Sequence, residues 1–175
     1  MHSVAKTAPK SFEELVASTR VLVIDDDYYM RKVIRSLLLA VGIKDVHETA
    51  NGVHGLRAIE VIAPDVVILD WEMPNMTGAE FMRIVRSPGT FAVPHIPVIM
   101  LTSHKERERV LEAVRLGVNE FLSKPVSAEL LHQRIMSIRG TPRPMVQIGD
   151  YYGPEPRKVK SSAWQSVDSY EPVWI

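Results

Sequence analysis

Acidic, basic and hydroxyl side chains recur in this chain directly after short apolar runs. They are Asp25-Asp26-Asp27, Asp70, Thr102-Ser103 and Lys124-Pro125. Carboxylates held close together repel one another unless a cation lies among them or a proton is bound. Mg²⁺ and Mn²⁺ bind carboxylate and carbonyl oxygens, while a lysine and a threonine add a positive charge and a hydroxyl donor for phosphoryl oxygens. If they converge, these groups are the parts of a phosphoryl-transfer site with a carboxylate as candidate nucleophile.

The apolar runs themselves indicate how these groups are brought together. Residues 21–24, 66–69 and 98–101 are apolar throughout, as in strands covered on both faces, and weaker runs lie at 45–49 and 118–122. Helical apolar spacing separates the runs, most clearly over residues 30–41. This order predicts an α/β fold: a doubly wound, five-stranded parallel sheet with helices on both faces. The carboxyl ends of its strands share one edge, which is where such sheets bind ligands.

Some of these residues also have simpler explanations. Asp27 precedes two tyrosines and is a candidate helix cap. His104 stands where a solvated helix start is expected, and the Pro and Gly of residues 73–78 mark a turn. The functional interpretation therefore depends on the joint occurrence of the groups at several strand ends.

Four of these segments, and their order, resemble the receiver domains of two-component response regulators. The segments are VLVIDDD ending at Asp27, VILDWEMPNMTG ending at Gly78, VIMLTS ending at Ser103 and FLSKP ending at Pro125. The stand-alone chemotaxis regulator is the most similar type, and the resemblance covers residues 20–139. It implies the flavodoxin-like strand order 2-1-3-4-5.

The resemblance also implies a role for each site residue. Asp70 would accept a phosphoryl group from a phosphohistidine on a sensor histidine kinase or histidine phosphotransfer protein. The metal ligands would be Asp25, largely through water, Asp26, Asp70 and the backbone carbonyl of Glu72. Thr102 and Lys124 would contact the phosphoryl group, Phe121 would be the aromatic switch, and the Lys124–Pro125 bond would be cis.

Two further positions are implied to tune the lifetime of the acyl phosphate, namely Glu72 and His104. The direction of their effect does not follow from the sequence. The face that reports phosphorylation would be helix four, strand five and helix five, roughly residues 106–139. A downstream protein target would bind there, so the protein would be a signalling phosphoacceptor that catalyses only its own phosphorylation and dephosphorylation.

Composition limits the partners and the setting. The 175 residues hold 21 basic and 21 acidic side chains, so no net basic charge favours DNA or a membrane surface. The absence of cysteine excludes disulfides, thiolate metal sites and a cysteine nucleophile. With no apolar stretch long enough to span a membrane, we expect a cytoplasmic protein.

The chain divides into three predicted parts. Residues 1–19 are an N-terminal extension, residues 20–139 the receiver domain, and residues 140–175 a tail rich in proline and aromatic residues with no separate output domain. The tail's aromatic residues are Tyr151, Tyr152, Trp164, Tyr170 and Trp174. Aromatic anchors of this kind dock on protein surfaces, so we expect the tail to pack on this domain, a second copy or a partner. The tail and the reporting face are the candidate surfaces for a homodimer.

Other functions fit the sequence less well. A phosphohydrolase of the haloacid dehalogenase type needs a second aspartate two residues after the nucleophile, where this chain has Glu72. Nucleotide binding would need a glycine-rich phosphate loop, and neither fingerprint is present. A phosphorelay intermediate or phosphate sink without allosteric output uses the same site, so the sequence leaves that alternative open.

Overall fold

A five-stranded parallel sheet forms the centre of the computed structural model, which describes residues 11–104 and 106–157. Its strands are β1 (Arg20–Ile24), β2 (Asp45–Thr49), β3 (Val66–Asp70), β4 (Val98–Thr102) and β5 (Glu120–Ser123). The order β2-β1-β3-β4-β5 and the parallel pairing confirm the predicted fold. Strand β5 starts two residues later than the run at 118–122 suggests. Val118 instead lies in the turn after Gly117, whose φ of +76° suits glycine, and is buried there.

Six helices accompany the sheet in the described part of the chain. They are α1 (Phe12–Ala17), α2 (Tyr28–Ala40), α3 (Gly52–Ile62), α4 (Gly78–Val85), α5 (Arg107–Arg115) and α6 (Ala128–Gly140). Helices α2 to α6 follow the five strands in turn, as predicted. The predicted reporting face therefore corresponds to α5, β5 and α6. Five of the six helices have an N-cap side chain that accepts a backbone N–H of the first turn; these residues are Ser11, Asp27, Asn51, Thr77 and Ser127.

Two apolar layers hold the helices on opposite faces of the sheet. Along β1, Val21 and Val23 point to one face and Leu22 and Ile24 to the other, because side chains alternate along a strand. The first layer includes residues of α1, α2 and α6, and the second includes residues of α3, α4 and α5. Both faces of the sheet are therefore dry, and the polar groups at its carboxyl edge are held by buried strands.

Helix α1 lies in the predicted N-terminal extension and is part of the packed fold. Ser11 and Glu14 form a reciprocal capping box at its start. Leu15 and Val16 are buried in the first apolar layer, and the Phe12 ring meets the His132 ring of α6 edge-on at 5.5 Å. Six residues are too short to show a helical period, so only the capping box marks this helix in the sequence.

The beginning of the predicted tail forms an antiparallel hairpin, β6 (Met145–Ile148) and β7 (Tyr151–Pro154). The hairpin packs on this same domain, since a Cβ at Gly117 would come within 2.4 Å of the Tyr152 carbonyl oxygen. The expectation that the tail packs on the domain thus holds for these residues. Trp164, Tyr170 and Trp174 lie outside the described residues, and the division at 19/20 and 139/140 stays a prediction.

None of the helices in residues 11–104 and 106–157 has the length and apolar character that crossing a membrane requires.

Two neighbouring leucines of α2 test the first apolar layer. Leu38 is fully buried and Leu39 is 46% exposed. We expect Leu38→Ala to lower the free energy of unfolding by about 2–5 kcal/mol, because it leaves a cavity. Leu39→Ala should change it by less than about 0.5 kcal/mol. Urea denaturation followed by circular dichroism measures both, and equal losses would contradict the described packing of α2.

Candidate phosphoryl-transfer site

Three aspartates meet at the carboxyl edge of the sheet. Asp25 and Asp26 follow β1, and Asp70 ends the neighbouring strand β3. One carboxylate oxygen from each lies within 4.8 Å of the others. Asp25 and Asp70 are buried, whereas Asp26 is exposed. The structure therefore brings together the acidic residues that the strand ends predict, with one of them accessible from solvent.

Lys124 brings a positive charge into this group. Its Nζ lies 3.1 Å from Oδ2 of Asp25 and 2.9 Å from Oδ1 of Asp70. The lysine side chain is only 15% exposed, so the two ion pairs are shielded from water. Its backbone N–H donates to the Thr102 carbonyl oxygen at 2.7 Å, and the Lys124–Pro125 peptide bond is cis. One lysine faces three carboxylates, which leaves an excess of negative charge.

That excess changes the proton affinity of the site. Burial raises the pKa of Asp70 to about 6; the charges of Asp25 and Asp26 also raise it, and Lys124 opposes the shift. Burial disfavours the charge of Lys124, but its bonds to Asp70 and Asp25 outweigh burial and leave the pKa of Lys124 above its ordinary value. Near neutral pH, Asp70 is therefore a carboxylate whose negative charge is only partly balanced by Lys124.

The three consecutive aspartates have different surroundings. Asp25 accepts the backbone N–H of Asp27 at 2.8 Å, while Asp27 itself caps α2 through the N–H groups of Tyr29 and Met30. The simpler explanation given for Asp27 above is therefore correct. Arg31, one turn into α2, donates to the carbonyl oxygens of Asp25 and Asp26 at 2.7 and 3.2 Å. It fixes the backbone of the acidic pair without contacting their carboxylates.

A glycine allows the loop after Asp70 to close tightly. Gly78 donates its N–H to the Trp71 carbonyl oxygen at 2.8 Å, and a Cβ at Gly78 would lie 2.7 Å from the Asp70 carbonyl oxygen. A larger residue would have to push the acceptor strand away. The turn over residues 73–78 thus shapes the site, and Gly78 is the position in it where the absence of a side chain matters.

Thr102 and His104 lie on the other side of the acceptor. Thr102 is fully buried at the end of β4, and its Oγ1 accepts the His104 N–H at 3.0 Å. The His104 Nε2 lies 2.7 Å from Oε1 of Glu72, and its Nδ1 lies 3.5 Å from Oε1 of Glu106. The two positions named for tuning are therefore in direct contact with each other, which the sequence does not reveal.

Phe121 stands apart from the acidic group. Its ring packs, partly buried, with the second apolar layer and lines a groove between α5 and α6. Phe121 pairs with Met100 across β4 and β5, so it is connected to the strand that carries Thr102.

Comparison with known proteins identifies the family of this chain. Residues 21–136 match the family described as the response regulator receiver domain. The chain belongs to this family. The chemotaxis protein CheY of Pseudomonas aeruginosa is 34% identical over 119 residues, which are 68% of this chain and 94% of that protein. CheY1 of Helicobacter pylori is 34% identical over 123 residues, 70% of this chain and 98% of its own.

Solved structures agree on the fold of this receiver domain. The receiver domain of the Francisella response regulator 1452 superposes with a TM-score of 0.63 at 29% identity, covering 70% of this chain and 97% of that one. CheY4 of Vibrio cholerae superposes with a TM-score of 0.61 at 30% identity, covering 69% of this chain and 98% of that one. Helix α1 and the β6–β7 hairpin lie outside residues 21–136 and are additions to the matched family region.

The donor set of this receiver domain suits a hard divalent cation. Three carboxylates that share a space under 5 Å across need a cation or a proton, and Lys124 balances only part of their charge. Oxygen donors of this kind match Mg²⁺ or Mn²⁺ and not a thiolate-preferring metal. The residues present therefore fit such an ion.

Two contributors to the site escape sequence analysis. Arg31 acts on the backbone of Asp25 and Asp26 through a contact between a helix and a strand end. Arg109 of α5 lies 5.0 Å above the buried Trp71 ring, next to the acceptor. Neither arginine belongs to a sequence motif. Arg31 contacts backbone atoms, and Arg109 contacts a ring that is distant in the sequence.

The raised pKa of Asp70 predicts a pH-dependent stability. Asp70 keeps its proton up to about pH 6 in the folded protein, whereas in the unfolded chain it has its ordinary pKa of 3.8. Its contribution to the stability of the fold is therefore fully present below about pH 4 and is lost as the pH rises through about 6. Asp70→Asn stays neutral throughout. Its stability relative to wild type should therefore rise between pH 4 and pH 7 by roughly 1–3 kcal/mol.

Urea unfolding in EDTA at several pH values measures this difference. Asp27→Asn is the matched control, since it removes the same charge from an exposed helix cap. A stability difference between Asp70→Asn and wild type that is constant from pH 4 to pH 7 would contradict the prediction.

Proposed function

We propose that this chain is a phosphorylation-activated response regulator whose Asp70 accepts a phosphoryl group from a phosphohistidine. The donor would be a sensor histidine kinase or a histidine phosphotransfer protein. The observation that carries the proposal is the bridge of Lys124 between the buried carboxylates of Asp25 and Asp70. The chain belongs to the receiver domain family. In such a chain, the bridge holds the Asp70 carboxylate at the end of β3, next to the positive charge of Lys124 that would contact an incoming phosphoryl group.

The transfer step uses groups that the site already positions. A carboxylate oxygen of Asp70 attacks phosphorus, an O–P bond forms as the P–N bond breaks, and the imidazole nitrogen keeps the electron pair. Lys124 contacts the phosphoryl oxygens and offsets their charge, and the Thr102 hydroxyl donates to one of them. The attacking oxygen must be ionised, which the pKa of about 6 allows at neutral pH. Hydrolysis by water later restores the carboxylate and releases phosphate.

The site would hold Mg²⁺ or Mn²⁺ through Asp25, Asp26, Asp70 and the backbone carbonyl of Glu72. Such an ion neutralises charge that develops on the transferring phosphoryl oxygens. The crowding of the three carboxylates supports this assignment, as does the exposure of Asp26, which leaves an entry path.

Signalling would follow from the added charge. A phosphoryl group of charge about −2 attracts the Thr102 hydroxyl, and β4 and β5 are paired, so the packing of Phe121 responds. The face of α5, β5 and α6 would then bind a downstream protein target. Balanced charge supports contacts with other proteins over contacts with DNA or a membrane surface. The cytoplasmic setting stays a prediction. The homodimer considered above stays a prediction.

Acetyl phosphate provides the direct test of the acceptor. With Mg²⁺ present, intact-protein mass spectrometry should find one phosphoryl group on wild type and none on Asp70→Asn, because the nucleophile is gone. Removing Mg²⁺ with EDTA should suppress the adduct on wild type. Asp27→Asn, which keeps a capping oxygen and lies outside the carboxylate group, should still be modified.

Retention of the phosphoryl group by Asp70→Asn would disprove the assignment of Asp70. So would a wild-type chain that neither acquires the group nor binds beryllofluoride, which traps an acyl-phosphate mimic even when hydrolysis is fast.

The contact between Glu72 and His104 predicts coupled effects on the lifetime of the phosphoryl group. Glu72→Gln and His104→Gln should each change the rate at which the group is lost. Because the two side chains share one contact of 2.7 Å, the double variant should deviate from the product of the single effects by about two- to fivefold. Timed quenching and mass spectrometry give the rates, and strictly multiplicative effects would show that the two residues act independently.

A further inference from the structure

An open groove lies between α5 and α6 and is lined by residues of β5. It has a volume of about 380 Å³, within the range of clefts that bind ligands. Its apolar lining includes Val110, Val114, Phe121 and the exposed Leu130. A surface of this kind, rimmed by polar groups, marks a place where an apolar partner binds.

Basic side chains form one end of the groove. Arg134, Arg143 and Arg157 line it, and Glu120 is the acidic residue among the lining groups. The Glu120 carboxylate is already shared by Arg134 and Arg157. The charge left at this end is positive, so an apolar segment that also carries carboxylates is complementary to it.

The C-terminal segment is fastened at the same end. Arg157 pairs with the buried carboxylate of Glu120, and Arg143 donates to the carbonyl oxygens of Asn119 and Glu155. Arg157 is the last described residue, and it lines the groove. Whatever follows Arg157 in the sequence begins at the groove.

Residues 158–175 follow Arg157 and carry apolar anchors that suit the groove, namely Trp164, Tyr170 and Trp174. Two acidic residues, Asp168 and Glu171, lie among these aromatic residues, whereas the two lysines, Lys158 and Lys160, precede them. The segment has no net charge from its side chains, so the match to the groove rests on the aromatic residues and on the tether. Each aromatic side chain can bury about 150–250 Å². Trp164 is seven residues beyond Arg157, a reach of up to roughly 23 Å when extended. A segment tethered so closely has an effective concentration of about 1 mM or more, well above that of a second copy at micromolar protein.

We propose that residues 158–175 dock in the groove between α5 and α6 of their own chain, with tryptophan as the main anchor. The docking does not depend on phosphorylation at Asp70. Because the same face is the one proposed to bind a downstream target, the docked segment would compete with that target. This last consequence alone rests on the proposed function.

Tryptophan quenching in the full-length, unphosphorylated chain tests the docking. In a Trp71→Phe background, the tryptophan fluorescence comes from Trp164 and Trp174 alone. Their acrylamide quenching constant should be severalfold lower than that of a free peptide of residues 158–175. Val114→Glu, which places a charge in the groove, should raise the constant to the peptide value. Val61→Glu on α3, where the side chain is 84% exposed, is the matched control and should leave it unchanged.

Three results would overturn the proposal. The tail tryptophans could be quenched as readily as the free peptide, or they could be protected equally in Val114→Glu. Protection that increases with protein concentration, together with a dimer in light scattering, would assign the groove to a second copy. All samples are checked by circular dichroism.

A second measurement avoids the Trp71 and groove substitutions. Amide exchange over residues 107–123 should be slower in wild type than in a Trp164→Ser, Trp174→Ser double variant, and equal exchange would count against docking. Failure of either test leaves the role of Asp70 untouched, because no phosphoryl donor is used.

Discussion

The repulsion among Asp25, Asp26 and Asp70 is the constraint around which the site is arranged. Three carboxylates within 4.8 Å of one another are tolerated because Lys124 bridges two of them and buried strands hold them in place. Burial raises the pKa of Asp70 to about 6, with smaller contributions from the charges of Asp25 and Asp26 and an opposing effect of Lys124. The negative charge that Lys124 leaves unbalanced suits a proton or a divalent cation. This repulsion disfavours the folded state, and it also makes the site sensitive to any added positive or negative charge.

The rest of the fold positions that charge and connects it to a distant face. The two apolar layers fix β1, β3 and β4 so that their ends meet, while Phe121 lies within β5 and Lys124 directly follows it. Additions outside the family match converge on the same region. Helix α1 packs on α6, and Arg143 and Arg157, which flank the β6–β7 hairpin, contact Asn119 and Glu120 where β5 begins. The added segments therefore constrain the part of the receiver domain that the proposal uses for output.

Much of this arrangement follows from the sequence because it depends on strong, local patterns. Continuous apolar runs identify β1, β3 and β4, and weaker runs indicate β2 and β5. A parallel order of these strands predicts that Asp25, Asp70, Thr102 and Lys124 lie at one edge of the sheet. Strand order came from the resemblance, since periodicity carries no information about which strands pair.

Other features escaped the sequence because their cause is short or long-range. Helix α1 has only a capping box to mark it, and the hairpin is marked by the two-residue Gly149-Asp150 connection between short runs. The contact between Glu72 and His104 joins loops after different strands, so no spacing along the chain encodes it.

The most direct test of the central claim is a nuclear magnetic resonance titration with Mg²⁺ and beryllofluoride. If the crowded carboxylates form a phosphoryl acceptor, the largest shifts should fall at Asp70, Thr102 and Lys124, with smaller ones at Phe121, and Asp70→Asn should abolish them. Shifts that persist in Asp70→Asn, or that centre away from the carboxyl edge of the sheet, would contradict it.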